Sequence, residues 1–378
     1  MERKLMTPRR PDVMGWDIGG VHTKAVQVYG GDPSCTRAIS QPFEIWRQRE
    51  ELLNVLRQVA DAAGVGEAEA MAVTMTAELS DTFRNKRGGV MFVLQALAEA
   101  FPHSPLYLLS LDGDFVPLTT ARERPLDFAA ANWLASALFV ARHYTDCILM
   151  DIGSTTTDII PIQGGQITGV GRSDTARLSR GELVYTGVVR TNPNTIVTHV
   201  PLAGRMCRVA AEYFSVMGDV YLLLGHLSPT AYSTPTPDGR PKSIPSARGR
   251  LARLVCADDE QLSAAQIQGI ARYMRERQIG QISEALFQVC SRLPKRPERA
   301  LVAAGAVTER EGSAYLFVVE EGVAHRRQVT VAEEYGNRVA ISEGLEAGER
   351  YVAGRVQGIR EGRAVTSREA AGGNRRNG

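Results

Sequence analysis

Apolar and polar positions change their period several times along this chain, and each change predicts an element. Apolar and polar residues alternate through "VMGWDIGG" and "HTKAVQVYGG", which predicts two strands joined by a tight glycine turn, with Gly30-Gly31 closing the second. The stretch "REELLNVLRQVADAAG" carries its apolar residues at helical spacing and ends on a glycine. A buried strand at "AEAMAVTMTAEL" and a helix at "GGVMFVLQALAEAF" follow. A strand at "PLYLLSL", a helix at "FAAANWLASALFVARHY" and a strand at "DCILMDIG" complete the run. Strands that alternate with helices imply an α/β sheet with crossover connections.

The strand "DCILMDIG" leads into "DIGSTTTDII", where four hydroxyls lie between Asp151 and Asp158. A second acid-glycine turn, "GWDIGGVHTKAV", opens the chain. After the later turn, "DIIPIQGGQITGVGR" holds a hairpin signal at "QGGQ". The pattern strand, DIG turn, strand, turn, strand therefore occurs twice, far too widely spaced for a solenoid, and predicts two similar halves facing each other across a cleft.

Glycine directly after a strand predicts a turn with positive φ and unobstructed N–H groups. Successive amides aimed into one concavity, with neighbouring hydroxyls, suit phosphate oxygens. An aspartate at the strand end reaches a hydrated Mg2+ that bridges those oxygens. A single Asp-x-Gly is ordinary turn chemistry, whereas two copies, each after an apolar strand and each followed by hydroxyls, point to phosphate. Neither turn has the GxxxxGK[ST] spacing of a P-loop.

Composition excludes some classes. Apolar content of 44% and charged content of 23% are those of a globular protein, and a formal charge of +2 does not call for nucleic acid despite the arginines of "SARGRLAR" and "GNRRNG". Five scattered cysteines (Cys35, Cys147, Cys207, Cys256 and Cys290) make no CxxC pair, and six histidines show no zinc spacing. The opening "MERKLMTPRRPDVM" lacks the apolar core of a signal peptide, and no run of about 18 apolar residues offers a membrane span. A cytoplasmic, soluble protein is expected, with neither nucleic acid nor membrane as partner.

"WDIGGVHTKAV" and "MDIGSTTTDIIPI" resemble the two phosphate loops of the actin, sugar kinase and Hsp70 superfamily. "TMTAELSDTFRNKRGGV", "ELVYTGVVRTN" and "DGRPKSIPSARGRLARLV" resemble, more narrowly, the hydantoinase A/oxoprolinase group, and within it the short members linked to tetrahydromethanopterin-dependent one-carbon metabolism and methanofuran biosynthesis. The resemblance covers about residues 12–305. It implies a two-lobed actin/sugar kinase/Hsp70-like α/β fold with a ribonuclease H-like repeat, the lobes being about 1–145 and 146–305. It also implies a transferase that joins an aminomethyl-furanmethanol diphosphate to a phenolic acceptor, glutamyl-tyramine, and releases pyrophosphate.

On that reading Asp17 and Asp151 hold Mg2+, and Gly19, Gly20, Thr23, Gly153, Ser154, Thr155 and Thr156 bind phosphate. Lys24 neutralises phosphate charge or stands on the outer face of a strand. Glu78 and Asp81 follow the buried strand "AVTM", the end at which open α/β sheets carry catalytic side chains; either is a candidate base, or both merely make a helix N-terminus acidic. Asn85, Lys86 and Arg87 contact a substrate carboxylate or form a solvated loop, and His22 lies inside the first turn. Pro, Ser and Thr in "SPTAYSTPTPDGRPKSIPSARG" predict a flexible excursion.

Near "RALVAAGA" the pattern changes to alternating strands separated by Glu-Gly, Tyr-Gly-Asn and Ala-Gly-Glu turns. Residues 306–367 predict a small all-β, barrel-like domain resembling the membrane-proximal domain of efflux-pump periplasmic adaptors, and 368–378 a disordered end. ATP-dependent cyclic-amide hydrolysis, small-molecule phosphorylation with ATP, and non-catalytic binding stand as the competing functions.

Overall fold

The computed structural model describes residues 13–29, 32–63, 68–168 and 170–294, and toward the C-terminus 302–303, 308–310, 313–320, 323–335, 338–345, 351 and 363–364. The described chain forms two units, residues 1–143 with 172–174, and residues 144–171 with 175–378.

In the first unit β1 (Val13–Ile18), β2 (His22–Tyr29) and β3 (Asp32–Pro42) form an antiparallel meander. β4 (Ala70–Met75) pairs parallel to β1, β5 (Leu106–Leu109) pairs parallel to β4, and β6 (Phe115–Pro117) closes the edge antiparallel. The order β3-β2-β1-β4-β5-β6 contains the ribonuclease H-like arrangement in which the first strand lies between its own meander and a parallel strand. A parallel step cannot be made by a tight turn, so helices lie in the connections. After the short α1 (Ile45–Gln48), α2 (Leu52–Ala63) precedes β4, and α3 (Lys86–Ala100) runs from β4 to β5. α4 (Leu118–Glu123) and α5 (Asn132–His143) follow the edge strand. Met14, Trp16 and Ile18 of β1, Met71, Val73 and Met75 of β4, and Val90, Leu94 and Leu97 of α3 belong to one buried cluster.

Several boundaries differ from the sequence expectation, two of them around Glu78. The strand expected through Leu79 stops at Met75, and Ala77–Leu79 form a 3-10 turn. Its parallel partner β1 ends at Ile18, whose carbonyl takes the Thr76 amide at 2.9 Å, so no ladder remains beyond it. α3 starts two residues early because the Asn85 side chain caps it, accepting the Gly88 amide at 2.8 Å.

In the second unit β7 (Cys147–Ile152) and β8 (Thr157–Gln163) form an antiparallel hairpin, and β8 also pairs with β9 (Gln166–Ile167) and β10 (Leu183–Val184). Gly164 and Gly165 turn the expected "QGGQ" hairpin with φ of 58° and 71°. No parallel strand joins this sheet among the described residues. α6 (Asp174–Ser179) and the hairpin of β11 (His199–Leu202) and β12 (Arg205–Arg208) follow in the chain. Three helices, α7 (Met217–Leu223), α8 (Ile244–Arg253) and the long α9 (Ala264–Ser291), pack through Met217, Val220, Leu251, Ile270 and Met274.

The excursion expected to be flexible is packed instead. Tyr232 is fully buried, and Arg250 meets Asp219 at 2.6 Å and Asp238 at 3.0 Å. Asp219 and Arg250 are both shut off from solvent, where either charge alone would be costly, so the segment carrying Asp238 is pinned to the helices.

The C-terminal strands form their own antiparallel sheet: β13 (Val302–Ala303), β14 (Thr308–Arg310), β15 (Ser313–Glu320), β16 (Val323–Tyr335), β17 (Arg338–Glu343) and β18 (Arg363–Ala364). Their order is β13-β17-β16-β15-β14, with β18 on β16. Because Val302 pairs with Val339, the domain line expected at 305 and 306 falls inside this sheet. The end expected to be disordered, 368–378, lies outside the described residues.

Candidate functional site

The two acid-glycine turns have one register. At the first tip Asp17 faces Lys24 and Ile18 faces Thr23, leaving Gly19 to His22 as the turn. At the second, Asp151 faces Asp158 and Ile152 faces Thr157, leaving Gly153 to Thr156. Gly19 donates its amide to the His22 carbonyl at 2.9 Å, and Gly153 donates to the Thr156 carbonyl at 2.8 Å. Gly19, Gly20 and Gly153 all have ordinary negative-side φ, so positive φ is not why glycine stands there. Closeness explains two of them: a Cβ would stand 3.0 Å from the His22 carbonyl oxygen at Gly19 and 3.3 Å from the Thr156 carbonyl oxygen at Gly153. Gly20 faces open space. The amides of Gly19 and Gly153, expected to bind phosphate, are thus spent inside their own turns.

Other amides take their place. At the first tip the Gly20 carbonyl accepts from Ile45 at 3.2 Å and the Val21 carbonyl from Phe43 at 2.8 Å. At the second, the Gly153 carbonyl accepts from Val188 at 3.0 Å, and the Ser154 carbonyl from Val189 at 3.1 Å and Arg190 at 2.8 Å. In a planar trans peptide the N–H points opposite the C=O. Holding these carbonyls inward therefore turns the Val21 amide, and the Ser154 and Thr155 amides, away from the supporting segment. Ser154 Oγ and Thr155 Oγ1 lie 3.4 Å apart beside them. Amides and hydroxyls are the donor types that anions take up.

Thr23 is a correction. Its side chain is wholly buried, because the strand period that exposes Lys24 turns residue 23 inward. Its counterpart Thr157 is buried too and donates to the Thr186 carbonyl at 2.8 Å.

The carboxylates differ between the tips. Asp17 pairs with Lys24 at 3.0 Å through Oδ2, while its buried Oδ1 has no partner. Lys24 thus answers Asp17 across the ladder. Asp151 is exposed and stands in register with a second acid, Asp158, a destabilising juxtaposition unless one charge is compensated. Arg177, itself buried, compensates Asp158 at 2.6 Å. His22 is held below its ordinary imidazole pKa, first by burial and then by Lys24.

Beyond β4, Glu78 and Asp81 separate clearly. Asp81 is exposed on a turn. Glu78 is 1% exposed, and neither carboxylate oxygen has a hydrogen-bond partner of good geometry. Burial pushes its carboxyl up to about 7; its own amide and Lys86 pull it down, Asp174 pushes it up, and the Ala130 amide pulls it down. A Cβ at Gly89 would stand 2.5 Å from the Glu78 carbonyl oxygen, so the glycine pair opening α3 allows the helix to press against the turn that carries Glu78. Thr76, two residues before it, is tied to Ile18 at the base of the first tip. Asn85 is committed to its cap, Lys86 pairs with Asp174 at 2.6 Å, and Arg87 is exposed.

Two positions that support the second tip escaped the sequence reading. A Cβ at Gly187 would lie 2.5 Å from both the Gly153 carbonyl oxygen and the Thr155 nitrogen, so the second tip rests flat on this glycine. Gln278, on α9, donates to the Gly187 carbonyl at 2.9 Å. The motif "TGVVR" was visible, but nothing in sequence joins it to a glutamine ninety-one positions later.

A family model described as hydantoinase/oxoprolinase matches residues 69–309. The chain belongs to the hydantoinase/oxoprolinase family. Residues 301–358 match a second model, the C-terminal permuted SH3 domain of RND MFPs. One relative, the (4-{4-[2-(gamma-L-glutamylamino)ethyl]phenoxymethyl}furan-2-yl)methanamine synthase of Methanocaldococcus jannaschii, is 29% identical over 331 residues, 87% of this chain and 94% of that protein. The protein of the same name from Methanococcus vannielii is 37% identical over 126 residues, 33% of this chain and 56% of its own. Among solved structures, nucleotide-free acetone carboxylase is similar at 13% identity and a TM-score of 0.45, covering 75% of this family member and 63% of that chain. An Aquifex aeolicus Ppx/GppA protein is similar at 12% identity and a TM-score of 0.32, covering 73% and 90%. Among the described residues of the family member no helix is long and apolar enough to cross a membrane, and no cluster of three His, Cys, Asp or Glu side chains forms a metal site.

Proposed function

We propose that this protein is a transferase that makes an aryl alkyl ether by displacing diphosphate, joining an aminomethyl-furanmethanol diphosphate to the phenol oxygen of a glutamyl-tyramine acceptor. The observation that carries the reading is the repeated tip: a strand-end carboxylate beside a turn whose carbonyls are tied back and whose amides face outward. The names of the two relatives supply the ether and its two halves. In the reaction the phenol oxygen bonds to the furanyl methylene carbon, the bond from that carbon to the diphosphate oxygen breaks, and its electron pair leaves with pyrophosphate. At each tip the outward amides, Val21 in the first and Ser154 and Thr155 in the second, suit phosphate oxygens, and such donors stabilise charge that grows on a leaving diphosphate.

Mg2+ fits the carboxylate of each tip taken by itself, because Asp17 keeps a buried oxygen without a protein partner and Asp151 has no cation across the ladder. Such an ion would neutralise part of the charge on the diphosphate. The phenol proton goes to Glu78 rather than to Asp81. A carboxyl with a pKa of about 7 accepts a proton near neutral pH and gives it up again.

Thermal stabilisation with Mg2+ present tests the reading. Pyrophosphate raising the melting temperature while ATP does not is the expected result. Stabilisation by ATP alone would favour hydantoin-type hydrolysis or phosphorylation, and stabilisation by neither would leave a non-catalytic protein. Pyrophosphate release should fall at least about a hundredfold in Asp17→Ala and Asp151→Ala, as for loss of strong charge stabilisation at a reacting centre.

A further inference from the structure

Gln278 sits in the middle of α9 with 1% of its surface exposed, a polar side chain among residues that otherwise build a core. Its carboxamide bonds are directional. Nε2 donates to the Gly187 carbonyl at 2.9 Å and to Thr186 Oγ1 at 2.7 Å, while Oε1 accepts from the Tyr221 hydroxyl at 2.7 Å. A carbonyl only accepts, so the amide nitrogen must face Gly187, and Tyr221 must donate to the remaining oxygen. From there the chain continues: Thr186 Oγ1 donates to Thr191 Oγ1 at 3.4 Å, Thr191 Oγ1 donates to the Gly187 carbonyl at 3.0 Å, and the Gly187 amide reaches Thr191 Oγ1 at 2.8 Å. Two side chains far apart in sequence thus fix both polar groups of residue 187.

Residue 187 supports the second tip directly. The three amides that follow it take the Gly153 and Ser154 carbonyls, and those bonds turn the Ser154 and Thr155 amides outward. A shift of the 187 peptide by a few tenths of an ångström meets the backbone of the tip, since even a methyl group has no room there.

We infer that Gln278 is a positioning residue for the second anion-binding tip: by orienting the Gly187–Val188 peptide, whose N–H takes the Gly153 carbonyl, it sets which amides of residues 153 to 156 face a bound phosphate. The inference rests on the phosphate reading of that tip. It assigns a role in ligand affinity to a side chain that touches no ligand and that packing alone would fill as well with methionine.

Calorimetric titration of the full chain with Mg2+ and pyrophosphate separates the possibilities. Gln278→Met keeps the volume and removes every hydrogen bond; Gln278→Glu keeps the shape but, when ionised, cannot donate. Both should bind pyrophosphate about tenfold or more weakly at a temperature where far-UV circular dichroism shows them folded, the scale expected for losing two buried donor bonds. Tyr221→Phe, which leaves both Nε2 bonds in place, should lose less. Gln281→Met, one turn further along α9, should bind as the wild type does. Wild-type affinity in folded Gln278→Met overturns the positioning role alone, as does a lowered melting temperature with unchanged affinity. Failure of the wild type to bind pyrophosphate overturns the phosphate reading and this inference with it.

Discussion

The two tips share a turn and a register, yet they are supported in different ways. The first rests on its own meander: the amides of Phe43 and Ile45, just past β3, take its carbonyls, so the support lies within thirty residues of the turn. The second is supported by residues 187 to 190 and, behind them, by Gln278 on a helix contributed much later in the chain. Charge follows the same division. Asp17 faces a lysine, whereas Asp151 faces an aspartate that a buried arginine has already neutralised. A local hairpin thus builds one acid-glycine turn, and a tertiary network is needed to build the other.

The strongest test of that contrast places a methyl group at the support of the second tip. Gly187→Ala should cost about 3 kcal/mol or more, the upper range of overpacking against backbone that cannot move aside, and should abolish pyrophosphate binding measured by calorimetry. Wild-type stability in that variant would show that the second tip does not rest on residue 187.

Next in size is the pH dependence carried by Glu78. Its folded pKa of about 7 lies above the ordinary 4.5, so the folded state holds a proton that the unfolded chain has released. The stability associated with that proton is complete below the ordinary value, declines as pH rises toward 7, and is absent above it, a change of up to about 3 kcal/mol. Glu78→Gln removes the titration. It should therefore unfold at a higher denaturant midpoint than wild type at pH 8, match it more closely at pH 5, and, on the proposed function, lose most pyrophosphate release. Wild-type activity should rise with pH through about 7. A variant destabilised at pH 8 would count against a carboxyl held neutral by burial.

The smallest expected effect is at the first tip. A Cβ at Gly20 meets nothing within 4 Å and its φ is ordinary, so Gly20→Ala should change stability by no more than about 0.5 kcal/mol in a denaturant titration. A loss comparable to that of Gly187→Ala would erase the distinction between the two supports.

Sequence alone determined much of the first unit. The alternation of apolar residues in β1 and β2 and the helical spacing of α2 and α3 are local properties, and each element was expected within about three residues of where it starts. The acid-glycine turns were equally legible, because a strand-end aspartate, glycine and hydroxyls occur within a few residues of one another. Tertiary structure decided what those residues do. Whether a glycine amide is free depends on which carbonyl it meets: Gly19 and Gly153 meet His22 and Thr156, while Val21, Ser154 and Thr155 are turned outward by partners in other segments. Composition suggested a mobile excursion around Asp238, but Arg250 and Asp219 pin it, since two buried charges are stable only together. Local pattern fixes which atoms a turn possesses; burial and hydrogen bonds from distant chain fix which of them remain available to a ligand.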